Sequence, residues 1–363
     1  MKHFLFFIII TFLFFSCGET KQGDLLEIPV DIEQNNPLQL SEIAEEITAI
    51  ELELTDESLL SPDYLTRITV TESEVIIAGL KIHVFNKDGK IIRSIASRGQ
   101  GPGEYNIIIN IAIDKKNKRL FIVSANPDKI ICYDLEGNFL KEFRFNQSFL
   151  SVTSMDLNYI NDELVLVGQK MDKNEEKGLY SPSLVIRLSD DFQIIDSYTI
   201  RNLYIGNESF ATLYKHSDFI LNGNSSVYLF YGDFYIKSDK SVEGTLCDTL
   251  YRFENDHLVP ELKLRFSSKF IHLFNVYRSS RYVISFYANN QGWNNYYFCY
   301  DIKTGKGYNM KDGFMDDING IDKRVSIRPF NHDTEMFYYL HTHMKPGDLE
   351  EPNPTLYIGK LKK

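Results

Sequence analysis

The sequence predicts an all-β chain, a six-bladed β-propeller whose ring is closed by an N-terminal strand pairing with the last blade. Three observations predict it. The first is a repeat. Ile82-His83-Val84-Phe85-Asn86-Lys87-Asp88-Gly89-Lys90-Ile91-Ile92 and Ile130-Ile131-Cys132-Tyr133-Asp134-Leu135-Glu136-Gly137-Asn138-Phe139-Leu140 lie over each other. Each gives alternating apolar residues, a polar turn ending in Gly, and a second short apolar strand. Their offset of about 48 residues lies in the range of a propeller blade or solenoid turn. The second is composition. Aromatics reach 13%, with 26 Phe and 22 Tyr against one Trp, and such residues favour strands. The third is a count of strands: the last blade is one short, and an early strand has no neighbour in sequence.

The first residues lie outside this pattern. Lys2 and His3 precede an apolar run from Phe4 to Phe15, too short to cross a hydrocarbon core of about 30 Å as a helix. Residues 1–16 read as a signal peptide ending at Ser16, before Cys17. Residues 17–40 carry Pro29 and Pro37 among polar residues and are expected to be a flexible tether. The single propeller domain is expected over 41–363.

Ser41-Glu42-Ile43-Ala44-Glu45-Glu46 suggests a helical turn capped by Ser41. Ile47-Thr48-Ala49-Ile50-Glu51-Leu52-Glu53-Leu54 alternates apolar and polar, the pattern of a half-buried strand. Blade one is expected from Leu65 to Ile95, with Lys87-Asp88-Gly89 as a hairpin turn. Blade two follows from Ile108 to Phe143. Blade three runs from Thr153 to Tyr198, with Lys170–Gly178 as a long exposed loop. Blade four spans Phe219 to Phe266 around an insert at Gly232–Gly244, and blade five spans Ile271 to Met310. Blade six supplies Arg324–Arg328, Glu335–Leu340 and Leu356–Lys360. Pairing Ile47–Leu54 with it completes the ring and removes an exposed edge.

These residues resemble a known family. Gly99-Gln100-Gly101-Pro102-Gly103-Glu104-Tyr105, the Tyr133-Asp134-x-x-Gly137 turn, Asp248-Thr249-Leu250-Tyr251 and the Ser41-Glu42-Ile43-Ala44 lead-in are similar to six-bladed β-propeller lipoproteins of Bacteroidetes, relatives of NHL-type propellers. Ser16-Cys17-Gly18 likewise resembles a bacterial lipobox, with Phe14 where Leu is usual. The resemblance implies cleavage before Cys17, its acylation, and a place in the cell envelope, most simply the outer membrane. Only one acid, Glu19, follows the Cys closely, which selects neither leaflet. The family brings no catalytic residues with it.

A net charge of −11 argues against a nucleic-acid partner, which needs a basic face. Cys132, Cys247 and Cys299 are an odd number. Equivalent strands of different blades lie too far apart for the roughly 5.5 Å between disulfide Cα atoms, so they read as small buried residues. No metal or cofactor is expected. His341-Thr342-His343 pairs two imidazoles without a third ligand. Asp316-Asp317-x-Asn319-Gly320-x-Asp322 lacks a calcium-loop register and reads as a solvated turn. Asp248-Thr249-Leu250 resembles an O-glycosylation sequon placed on a strand.

Candidate binding residues fall in several loops. In the Gly-rich link, Glu104 and Tyr105 either satisfy buried backbone, or Arg98 and Glu104 face a ligand. Trp293 and Asn294 lie in an Asn-Asn-Gln-Gly-Trp-Asn-Asn loop. That loop is either plain turn chemistry or an aromatic face flanked by amides, which suits sugars. Tyr214, His216, Arg278 and Arg281 are candidates for the central funnel. There is no Gly-x-Ser-x-Gly, P-loop or dinucleotide fingerprint. The expected function is non-catalytic binding of a glycan, a peptide or an envelope protein by a propeller held to the membrane through an N-terminal lipid. A hydrolase or lyase acting on polysaccharide, and a scaffold subunit of a membrane complex, are the alternatives.

Overall fold

The computed structural model describes residues 25–363 apart from 62–64, 66, 146–155, 161, 170–171, 175–177, 207–211, 215–219, 223–226, 231–232, 237–241, 246–247, 255–256, 269–270, 290–293, 332–333 and 345–351. The chain opens with β1 (Leu26–Val30), the one-turn helix α1 (Leu40–Ile43) and β2 (Ala44–Glu51). Blade one is β3 (Arg67–Val70), β4 (Glu74–Ala78), β5 (Ile82–Asn86) and β6 (Ile91–Ile95). Blade two is β7 (Ile107–Asp114), β8 (Arg119–Ala125), β9 (Lys129–Asp134) and β10 (Phe139–Arg144). Blade three contains β11 (Asp156–Ile160), β12 (Glu163–Gln169), β13 (Asp172–Asn174), β14 (Gly178–Leu188) and β15 (Ile194–Gly206).

Then come β16 (Thr212–Tyr214), β17 (Ile220–Asn222), β18 (Val227–Phe230), β19 (Asp233–Ile236), β20 (Val242–Thr245), β21 (Thr249–Glu254) and β22 (His257–Phe266). Blade four is built from β17, β18, β21 and β22, and β16, β19 and β20 form a separate small sheet. Blade five is β23 (Ile271–Arg278), β24 (Tyr282–Asn289), β25 (Asn294–Asp301) and β26 (Lys306–Lys311). A hairpin of β27 (Phe314–Asp316) and β28 (Ile321–Val325) leads to blade six, made of β29 (Arg328–Asn331), β30 (Met336–His341) and β31 (Thr355–Leu361).

The ring closes as the strand count requires. β2 pairs antiparallel with β31, from Ala44 opposite Leu361 to Glu51 opposite Thr355. The strand starts three residues earlier than the alternation suggests, because α1 ends at Ile43. The turn is entered at Gln39, not Ser41: the Glu42 carboxylate accepts the Gln39 N–H at 3.0 Å, and the Ser41 hydroxyl donates to Asp317. Beyond β2 the Glu53 N–H donates to the Gly89 carbonyl at 2.9 Å. Gly89 holds φ +84°, and a Cβ there would lie 1.9 Å from the Glu51 carbonyl oxygen. Only glycine allows blade one to close against β2 at this point.

Middle strands carry the core. β8 and β9 are buried at nearly every position, since sheets pack on both of their faces. β10, at the perimeter, is exposed or half-buried throughout. Buried clusters form across the seams between neighbouring blades, as where Ile76, Val84 and Ile95 of blade one meet Ile111, Ile122 and Ile131 of blade two. One larger cluster unites blades four, five and six with Ile28, Val30, Leu38, Leu40 and Ile43.

Four expectations need correction. The tether expected over 17–40 is part of the fold from β1 onward: β1 pairs in parallel with β22, Leu26 opposite Leu262 through Val30 opposite Phe266. Pro29 is tolerated there because β1 is an edge strand. The loop expected at Lys170–Gly178 contains β13, which pairs with the start of β14. The first strand of blade six is β29, and Arg324 and Val325 end the preceding hairpin instead. The turn expected to be solvated over Asp316–Asp322 is exposed at Asp317, Ile318, Gly320 and Asp322 but not at Asp316. Asp316 is buried, accepts bonds from the Tyr339 hydroxyl and the Asn319 amide, and so ties the hairpin to blade six.

Candidate functional site

The Gly-rich link between β6 and β7 is a fastening. Arg98 and Tyr105 form a parallel bridge, with Gly99 N–H donating to the Tyr105 carbonyl at 2.7 Å and Tyr105 N–H to the Ser97 carbonyl at 3.1 Å. Glu104 turns inward and accepts the Gly101 N–H at 2.8 Å. Tyr105 is buried and donates to the Leu80 carbonyl. Gly103 takes φ +74° beside the Phe139 ring.

Blade two grips the same loop from below. Lys129 is 0% exposed and donates to the Gly101 carbonyl at 3.1 Å and to Glu142 at 2.9 Å. The Glu142 carboxylate also accepts the Gly103 N–H, and the Tyr133 hydroxyl donates to the Gly103 carbonyl. Burial pushes the Tyr133 phenol up to about 12, so it stays protonated as a donor. Of the two readings of this link, the contacts match the one in which Glu104 and Tyr105 serve the backbone. Arg98 is exposed, 3.4 Å from the Asn106 side-chain oxygen.

The first strand of each blade faces the axis. On blades one to three these strands share one polar cluster. The Arg67 guanidinium donates to Asn110 at 3.0 Å, to the Ile111 carbonyl at 3.1 Å and to Asn158 at 3.1 Å, and lies 3.4 Å from Asp156. Asn110 in turn donates to Asp156 at 2.8 Å. One arginine thus clasps β7 and β11 to β3, a use suited to its planar set of donors.

A half-enclosed cavity of about 40 Å³ lies where blade five meets the link into blade six. Its polar lining is Asn275, Tyr277, Ser285, Tyr297, Ser326 and Arg328. The register of β23 slips between Leu273 and Asn275, a bulge of the kind that re-aims side chains. Asn275 then enters the ladder itself, accepting the Phe286 N–H at 3.1 Å and donating to the Tyr277 hydroxyl at 3.2 Å. The hydroxyls of Tyr297 and Ser326 bond each other. Burial raises the Tyr297 phenol, with its bond to Ser326 and the Arg328 charge pulling the other way. Ser285 is 0% exposed, and its hydroxyl has no partner among the described residues. Among the described residues neither carboxylate nor imidazole lines the space. The cavity can therefore hold a small polar group by hydrogen bonds.

The sequence-predicted residues do not converge on one place. Arg98, Glu104 and Tyr105 lie at the seam of blades one and two. Arg278 is in blade five, donating to Glu261 at 3.0 Å and to the Ser279 carbonyl at 2.7 Å. Asn294 begins β25 opposite Asn289, and Tyr214 ends β16 opposite Phe234. His216, Trp293 and Cys17 lie outside the described residues, as does Cys247. Cys132 and Cys299 are buried free thiols, and burial raises both, Cys132 to about 11. The His341 and His343 rings meet edge to face at 4.5 Å, and His343 bonds the Tyr357 hydroxyl. Among the described residues no three His, Cys, Asp or Glu side chains are grouped to hold a metal. Thr249 begins β21, its hydroxyl bonded to Asp248.

Sequence reasoning missed Arg67 and the blade-five cavity. A signal for the latter exists: Asn275 and Ser285 are small polar residues set among apolar and aromatic neighbours in the middle of their strands.

Six sheets of four or five strands around an axis, the last completed by β2, define the chain as a six-bladed β-propeller. Over residues 25–353 it matches the family described as a domain of unknown function, DUF4934, and it belongs to that family. Among solved structures it is similar to a Bacteroides fragilis protein provisionally named as exported, with a TM-score of 0.68 and 17% identity, covering 93% of this chain and 100% of that one. A DUF4221 member from Bacteroides vulgatus is also similar, with a TM-score of 0.47 and 9% identity over 91% of this chain and 99% of that one. No curated protein matches the chain.

Proposed function

We propose that this propeller is an exported, lipid-anchored binding protein of the cell envelope, with its ligand site at the junction of blades five and six. The observation that carries the binding reading is the cavity itself, a small space walled by hydroxyls, an amide and a guanidinium. Its groups can orient a ligand.

Export is supported by the basic start and apolar run before Cys17, and by the name of the Bacteroides fragilis neighbour. No helix among the described residues is long and apolar enough to cross a membrane. We assign attachment to an acylated Cys17, for which several buried acyl chains at ~0.8 kcal/mol per CH₂ give firm anchoring. The ligand is a glycan, a peptide or an envelope protein.

Two measurements test the reading. Cells fed a palmitate analogue should label the wild-type chain and leave Cys17→Ser unlabelled; equal labelling of both removes the anchor. Glycan and peptide arrays probed with the full mature chain should give hits that Arg328→Met abolishes. Hits insensitive to that change place the site elsewhere, and a blank on both arrays removes glycans and peptides as ligands.

A further inference from the structure

Resting on the lipid-anchored reading above, we propose that one rim of blades one to three lies against the bilayer and inserts Ile92, Leu140 and Ile195. The three share a structural origin, a β-bulge at the second residue of each outer strand. On β6, Ile91 pairs with Phe85 and Arg93 with Val84, which leaves Ile92 extra. On β10, Phe139 pairs with Tyr133 and Lys141 with Cys132, which leaves Leu140 extra. On β15, Ile194 pairs with Leu188 and Asp196 with Arg187, which leaves Ile195 extra. The three are 48%, 48% and 49% exposed, and Phe139 and Ile194 beside them are exposed as well.

The other half of the ring puts no apolar residue at its outer bulges. β22 and β2 bulge at Glu261 and Glu45. Glu261 binds Arg252 and Arg278, and Glu45 binds Lys360. β26 has no bulge, and Gly307 stands second in it. An apolar side chain turned to solvent at the same place in three successive blades is a feature of a docking surface.

The occupant follows from the shape of the row and from the course of the chain. Equivalent positions of successive blades sit at one height on the ring. The row therefore runs level along the rim, and a flat lipid surface meets all three residues together. Outer strands all begin at this face of the propeller. β1 runs parallel to β22, so Leu26 marks the end of β1 nearer that face. Leu26 lies nine positions after Cys17, a reach of at most about 30 Å. An acylated Cys17 thus draws this face to the lipid. The row occupies half the ring, so the molecule leans, and Glu45 and Glu261 on the other half stay in water.

Charge along the rim is mixed. Its turns carry exposed Lys90, Lys115 and Lys118, and exposed Asp88, Glu136 and Asp191 as well. Affinity then comes from apolar insertion at the headgroup boundary, not from anionic lipid.

The test uses the full mature chain carrying Cys17→Ser, so that no acyl chain contributes, with vesicles of phosphatidylethanolamine and phosphatidylglycerol. Sedimentation should show binding that added salt leaves nearly unchanged. The triple variant Ile92→Asp, Leu140→Asp, Ile195→Asp should bind at least about a hundredfold more weakly. Its melting temperature should not move, since all three side chains already face water. Leu80→Asp, exposed at the opposite end of blade one, should bind as wild type does.

Absence of vesicle binding by the Cys17→Ser chain overturns the assignment, as does equal binding by the triple variant or an equal loss in Leu80→Asp. A dimer that the triple variant abolishes, without vesicle binding, also overturns it and makes the row a contact between copies. Palmitate labelling absent while vesicle binding persists removes the anchor and spares the rim. The reverse result removes the rim and spares the anchor.

Discussion

Blades one to three and blades four to six end differently at the perimeter. The outer strands of the first three, β6, β10 and β15, have no further strand beside them among the described residues. The second three are girdled by the chain's own N-terminal segment. β1 lies along β22, Asn36 donates to the Asn309 carbonyl at 2.8 Å, and β2 is itself the outer strand of blade six. The cores differ in the same way. Seams around blades one to three hold separate clusters, whereas blades four to six and the strap share one. The first half consists of near-regular repeats, each meeting the next across an apolar seam. The second half departs from the repeat and draws cohesion from the N-terminal segment, whose β1 flanks blade four and whose β2 completes blade six. Bare edges in the first half are kept from pairing by charge, as with Arg93 on β6 and Lys141, Glu142 and Arg144 on β10.

The largest effect that can break this comparison is removal of the strap. Deleting residues 1–38 strips Ile28, Val30 and Leu38, each at most 2% exposed. At about 2 kcal/mol for each buried side chain the loss is on the order of 6 kcal/mol, a large share of a domain's stability. Hydrogen exchange should show β22 and β26 losing protection while β8 and β9 keep most of theirs. Equal loss in both halves would mean that the two are one cooperative unit.

Next comes the closing seam. Gly89→Ala forces a methyl group against the Glu51 carbonyl at φ +84°, and should cost about 3 kcal/mol. Gly137, at the corresponding turn of blade two, has φ +99° and nothing nearer than 3.9 Å. Gly137→Ala should therefore cost only the backbone strain of about 1–2 kcal/mol. Urea midpoints of the two variants compare the seams directly; equal shifts would show that close approach at Gly89 adds nothing.

A somewhat smaller loss, about 2 kcal/mol, is expected for Lys129→Met, which leaves Glu142 without its buried partner. Adding Glu142→Gln should recover part of it, and a double-mutant cycle without coupling would remove the ion pair from the account of this link.

The smallest effect is a pH dependence in blade five. Bonding from Arg281 lowers the Asp301 carboxyl from 3.8 to about 2. A group depressed in the folded state stabilises above its unfolded value, and that contribution is lost as pH falls from about 4 towards 2. Asp301→Asn should flatten this part of the acid-stability curve; an unchanged curve would mean that other carboxylates govern it.

The fold was legible where the physics is local. Alternation and the turn ending in Gly mark β5, β6, β9 and β10 to within a residue or two, and strand counting finds the partner of β2. The strap was not legible. β1 is five residues long, contains Pro29, and pairs with β22, which lies far from it in sequence, so nothing nearby announces it. The small hairpin before blade six was hidden for a related reason: Asp316 and Asn319 look like turn residues, and only the approach of Tyr339 makes their site buried. The candidate site was less legible still. Arg98 and Glu104 were visible because they sit beside glycines. Asn275, Ser285, Ser326 and Arg328 come together only through a bulge and the meeting of two blades.

The strap also sets a schedule for the newborn molecule. β1 and β2 are synthesised well before β22 and β31, the strands that receive them. These two segments must wait for those partners, and blades one to three can form their seams first. The ring seals only after Leu361 is free, so for a chain carried through a membrane the final act of folding takes place on the far side.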